Sequence, residues 1–113
     1  MICNMEEEYS DKFDEIRKNR VNVSFYKYGP AKLNFGEHCV DAIGSMDKCI
    51  KKYQETGNTE YLADAANYLM FEFMFPSHQK AHFRSTDSGE SAGIVGMSVK
   101  EMEDYGNNKL RTF

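Results

Sequence analysis

The chain has 113 residues, the length of one domain with room for one modest core. Hydrophobic residues make up 41% and charged residues 28% of it, close to the averages of soluble globular chains, which excludes a disordered tail or a fibrous repeat. A net charge of -4 argues against a duplex-binding module, because contact with a nucleic-acid backbone needs a clustered basic surface.

Residues 5–20 are dense in charge and carry Tyr9, Phe13 and Ile16 near helical spacing, which predicts a short amphipathic helix. Val21, Val23 and Phe25 then alternate with Asn22, Ser24 and Tyr26 up to Gly29 and Pro30. That pattern predicts a short strand or an extended arm, so residues 1–30 read as a helix followed by an arm. Asn34 and Glu37 have the spacing of a capping box and predict a second helix reaching Thr56. Its apolar stripe is Cys39, Ala42, Ile43, Met46, Cys49, Ile50 and Tyr53, which places both cysteines in the core. Gly57 suits the left-handed residue after a helix, and Asn58 and Thr59 suit the cap of the next. Residues 34–75 therefore read as a tight antiparallel helical hairpin.

The third helix, residues 60–75, is apolar on most faces, and such a helix must be buried on several sides. A chain this short covers it poorly alone, so a homo-oligomer, a two-fold dimer, is expected. Pro76 stops the helix. Residues 76–97 read as a long loop whose turn-rich centre is 85–91. Ser98 and Glu101 open a short last helix over 98–106, ended by Gly106. The expected fold class is mainly α: a small helical bundle built on the hairpin, with a long C-terminal loop, in a single domain.

Three cysteines are an odd number without metal-like spacing, which argues against disulfides and zinc and for a reducing cytosol. Residues 1–8 lack the basic start and apolar core of a secretory signal. The most apolar stretch, residues 61–75, is shorter than the ~20 residues that cross a bilayer, so no membrane partner is expected. Seven Met and 15 Phe and Tyr without Trp read most simply as core.

Two clusters carry possible chemistry. Glu60, Asp64 and Asn67 are spaced by four and three and share one face of the third helix. Glu37 and Asp41, a turn apart, would face them and complete an oxygen set suited to magnesium. The structural alternative has Glu60 complementing the helix dipole, with Asp64 and Asn67 bonded to a neighbouring loop. The second cluster is the basic, His-containing segment after Pro76. Lys80, His82 and Arg84 would counter phosphate charge, His78 sits beside them, Ser85 and Thr86 would donate hydrogen bonds, Asp64 or Asn67 would orient the loop or read the base, and Phe83, or a tyrosine such as Tyr26 or Tyr28, would stack a base. In its structural alternative the histidines cap the third helix and Phe83 anchors the loop. No phosphate-binding glycine loop, nucleotide fingerprint or nucleophile elbow is present, so no catalytic residue is assigned.

Residues 52–62 (KYQETGNTEYL), the run DAAN at 64–67, EFMFP at 72–76 and AHFRSTDS at 81–88 together resemble a group of small, mostly uncharacterised phage and prophage proteins. The resemblance spans roughly residues 35–92. It implies a protein made in the cytosol of a bacterial host, and implies no reaction. A more distant similarity is to the all-α MazG-like nucleotide pyrophosphohydrolases, whose paired helices carry magnesium-binding carboxylates. It would put Glu37 and Asp41 on one helix and Glu60 and Asp64 on the other, although here the acids are four apart and the first cluster has only two.

The resulting expectation is a binder of a phosphorylated small molecule or nucleotide that sequesters a signal of host antiviral defence, without cofactor. Its rivals are a magnesium-dependent nucleotide pyrophosphohydrolase and a protein that blocks a host defence factor by direct contact.

Overall fold

The computed structural model describes residues 2–87 and 89–111, with the backbone alone for 108–111. Ser88, within the turn-rich segment, lies outside the described residues. The chain is mainly helical, and among the described residues it holds α1 (Met5–Glu8), α2 (Asp11–Tyr28), α3 (Ala31–Asn34), α4 (Ala42–Thr56), α5 (Glu60–Met74) and α6 (Val99–Arg111). It divides into two units, Met1–Ala81 and His82–Phe113.

In the first unit, α2 begins at Ser10, whose hydroxyl accepts the Phe13 amide at 3.0 Å, and runs unbroken to Gly29. This corrects the expected strand or arm over residues 21–28. No glycine or proline interrupts residues 11–28, so nothing stops a capped helix before Gly29 takes φ 85. The alternation misled because Val23, Phe25 and Tyr26 all remain exposed. The residues of α2 that face α5 are instead spaced by three and four.

The second helix also starts later than its apparent capping box. Asn34 ends α3, and its amide donates to the carbonyls of Tyr28 and Gly29 at 3.0 and 3.4 Å. Glu37 lies in a turn in which His38 has φ 56, a left-handed conformation that no right-handed helix continues through. The cap of α4 is Asp41, whose carboxylate accepts the Gly44 amide at 3.0 Å. Within the turn, Gly36 is required for space: a Cβ there would lie 2.2 Å from the Lys32 carbonyl oxygen. Cys39 is consequently outside α4 and exposed, a correction to its expected core position, whereas Cys49 is half-buried.

Residues 57–59 join α4 to α5. Gly57 adopts φ 75 and its amide closes on the Tyr53 carbonyl at 2.7 Å, and Asn58 Oδ1 accepts the Glu60 amide at 3.0 Å. Helix α5 packs against both α4 and α2. Ala63 and Ala65 are almost fully buried, small side chains that let neighbouring backbones approach. Phe71 stacks on Phe35 with ring centroids 4.5 Å apart, and Tyr68 meets Phe35 edge-on at 6.1 Å. Phe35, Ala42 and Phe71 form the core, with Val21, Ala31, Val40, Met70 and Phe75 packed around it. Each such aromatic contributes roughly 1.5–3 kcal/mol through burial. The chain alone leaves part of α5 uncovered, with Leu69, Phe73 and Met74 exposed.

In the second unit, Asp87 Oδ1 accepts the amides of Gly89 and Glu90 at 2.9 and 3.2 Å. Ile94 and Met97 form a single antiparallel bridge. Ser98 Oγ accepts the Glu101 amide at 3.2 Å and opens α6 as its sequence predicts. The helix does not end at Gly106 but continues to Arg111. A glycine inside a helix costs only ~1 kcal/mol relative to alanine, too little by itself to terminate one.

Candidate functional site

The polar face of α5 meets α2. Arg20 Nε donates to Asp64 Oδ1 at 3.0 Å and its Nη2 to Oδ2 at 3.2 Å, while Glu60 Oε1 stands 3.6 Å from the same Nη2. One turn further along, Asn67 Nδ2 donates to the Arg17 carbonyl at 3.0 Å. Glu60, Asp64 and Asn67 thus share a face, as their spacing predicts, and their partners lie on a helix rather than a loop.

Below this polar row lies a cleft of about 580 Å³. Val21, Ser24, Phe25 and Tyr28 of α2 form one wall, Asn67, Tyr68 and Phe71 of α5 the other, and Ala31, Asn34, Phe35 and Val40 close the end. Arg20 and Asp64 contribute its only charges, which cancel. A concave, largely aromatic site with a few polar groups is the usual form of a small-molecule pocket, and this volume falls inside the ordinary range for one. Burial raises the Tyr68 phenol above its ordinary value, assisted by Cys49 and Asp64. At neutral pH it is therefore an uncharged hydroxyl, able to donate or accept.

Asn67 is 5% exposed, and its Oδ1 is buried without a hydrogen-bond donor. The Arg17 carbonyl fixes which way the amide points, since only the NH2 end can donate to it. The unmatched atom is therefore the oxygen.

The expected magnesium carboxylates Glu37 and Asp41 do not join this arrangement. Asp41 is committed to the α4 cap, and Glu37 lies in the preceding turn. Among the described residues no group of three or more His, Cys, Asp or Glu side chains is placed to hold a metal ion. His78 Nδ1 accepts the Lys80 amide at 3.0 Å. In the second unit Arg84 pairs with Glu90 through its two terminal guanidinium nitrogens, and the Glu90 carboxyl lies below its ordinary value because of that pairing. Phe83, Ser85 and Thr86 are exposed, as is His82. A smaller hollow of about 330 Å³ lies by Phe35, His38, Cys39, Asp41, Glu72 and Ser77.

Sequence reasoning placed Asp64 and Asn67 in the site and missed Arg20, Ser24, Phe35 and Tyr68. A signal for the α2 wall was present: Arg17, Arg20, Ser24 and Tyr28 are spaced by three, four and four, which is one helical face. Among the described residues no helix is long and apolar enough to cross a membrane. Comparisons with protein-family models, curated proteins and solved structures gave no match.

Proposed function

We propose that the protein is a non-catalytic binder of a small nucleotide-class ligand whose planar base enters the cleft between α2 and α5. The observation that carries this reading is the cleft itself, with Phe25, Tyr28, Phe35, Tyr68 and Phe71 in its walls. Aromatic faces accept any base, with stacking worth ~1–3 kcal/mol each. Asp64 takes two of the five guanidinium N–H groups of Arg20 and Glu60 stands 3.6 Å from Nη2, so a phosphate at the cleft would meet Arg20 by displacing Glu60. The pairing of Arg84 with Glu90 is the reason the cleft is preferred over residues 78–86. Magnesium-dependent hydrolysis draws the least support, because both Asp64 oxygens are taken by Arg20 and Asp41 caps α4. On the phage resemblance, the biological use is sequestration of a nucleotide signal of antiviral defence in a bacterial cytosol.

Titration calorimetry against linear and cyclic nucleotides tests the proposal. Binding at micromolar ligand is expected, with loss of at least tenfold in Ser24→Trp, which fills the cleft from α2. Absence of heat from every nucleotide rejects it, as does full binding by the filled variant with its helical circular dichroism intact.

We propose in addition that α4 and α5 form an antiparallel hairpin that pairs with a second copy. The supporting feature is an apolar stripe on α5, Leu62, Ala66, Leu69 and Phe73, spaced by four, three and four. Leu69 is 49% and Phe73 74% exposed. Light scattering should give twice the chain mass, reverting to one in Phe73→Glu. A native monomer rejects the dimer and favours the rival in which this face contacts a host protein.

A further inference from the structure

We infer that Asn67 determines the specificity of the cleft, its carbonyl oxygen accepting a hydrogen bond from an N–H group of the ligand's heterocycle. The inference rests on the cleft being the ligand site and adds the class of ring it selects: one carrying an exocyclic amino group or a ring N–H.

Three observations converge on this atom. Asn67 is the only buried polar residue among those described, and its Oδ1 has no donor. Its amide cannot turn to find one, because Nδ2 is held by the Arg17 carbonyl at 3.0 Å. And the residue lines the cleft between α2 and α5, beside Tyr68, Phe71 and Arg20. Buried polar atoms in folded proteins are nearly always paired, and an orphan in a binding cleft marks a group kept for a partner. An apolar residue of similar size would remove the cost of the orphan oxygen, though it would also give up the Nδ2 bond to the Arg17 carbonyl.

The oxygen is out of reach of bulk water, so its donor arrives with a ligand that parts the cleft wall. The movement is one of side chains such as Phe25 and Tyr28, both exposed on the α2 wall, because a shift of α2 itself would carry off the Arg17 carbonyl that holds the amide. A ring held against Tyr68 or Phe71 and bonded at its edge to Asn67 would be discriminated strongly. A site built to hydrogen-bond a ligand N–H rejects an analogue lacking it far better than an apolar pocket rejects a change of size.

Calorimetry with paired probes tests this. Adenosine monophosphate is compared with purine riboside monophosphate, and cytidine monophosphate with its analogue lacking the 4-amino group. In the native chain the amino-bearing member of a binding pair is expected to bind at least tenfold tighter. In Asn67→Leu the two members should bind equally, with the helical circular dichroism intact. Equal affinity of both members for the native chain overturns the role of Asn67 and leaves the cleft standing as a ligand site. So does a folded variant that keeps the preference, which would mark the amide as structural. No binding by any probe overturns the inference and the proposed function together. The comparison in the native chain needs no substitution, so it decides the matter even if the variant does not fold.

Discussion

Arg20 and Asp64 are joined by two side-by-side hydrogen bonds across 44 positions of the chain, and with Asn67 they form the polar seam between α2 and α5. The pair is partly shielded, with side chains 33% and 23% exposed, so it exceeds a surface ion pair in worth without being a buried one. Asp64→Ala leaves the guanidinium without its bidentate partner. A loss of about 1–2 kcal/mol is expected, the range for hydrogen bonds to charged groups reduced for solvent screening. Urea unfolding measures it, and the difference from the native chain should shrink in high salt.

Phe71 is the central core ring. It is 8% exposed and stacked on Phe35, so Phe71→Ala removes both burial and the stacked pair. The expected cost is about 3–5 kcal/mol, a large part of the ~5–15 kcal/mol that stabilises an ordinary domain. Phe83, at 83% exposure, provides the contrast: Phe83→Ala should shift unfolding by no more than about 0.5 kcal/mol. Thermal melts followed by circular dichroism compare the two.

The three thiols should separate by rate. Cys3 and Cys39 are exposed, while Cys49 is half-buried and its thiol pKa is raised, first by burial and then by the Asp64 carboxylate. The thiolate is the reactive form, so an aromatic disulfide reagent at neutral pH should label two thiols quickly and one slowly. Cys49→Ser should abolish the slow phase alone. A single phase for all three in the native chain contradicts the placement of Cys49.

Glu72 accepts hydrogen bonds from Ser77 Oγ at 2.6 Å and from the Ser77 amide at 2.9 Å. These bonds, the hydroxyl's above all, hold its carboxyl below the ordinary glutamate value. A lowered folded value means that ionised Glu72 favours the folded chain. Its contribution is complete above the ordinary glutamate value and is lost as pH falls through the lowered one. Carboxyl-resolved NMR titration should find Glu72 ionising below exposed glutamates, and Ser77→Ala should move it upward. An unchanged midpoint in that variant would remove Ser77 as the cause.

How far the sequence reveals this structure differs along the chain for physical reasons. The junction of α4 and α5 is legible because Gly57 and Asn58 have local jobs, a left-handed cap and an amide acceptor. The shared face of Glu60, Asp64 and Asn67 is legible because it depends only on helical spacing. Their partners are not, since Arg20 and the Arg17 carbonyl matter only if α2 is helical at that point, and residues 21–26 alternate as a strand would. That helix leaves Phe25 and Tyr26 in solvent and has little contrast between its faces, so periodicity misses it. Asn34 and Glu37 mimic a cap, and only the left-handed His38 moves the true one to Asp41.

The placing of α5 between a near and a distant partner has a kinetic consequence. Helix α4 reaches it across residues 57–59, a short closure that forms early, whereas α2 docks from more than thirty positions away. The cleft exists only after that later step. Amides of α2 should therefore exchange with solvent deuterium faster than those of α5. A compound that fills the cleft would slow α2 in particular, so ligand capture and completion of the fold become one event.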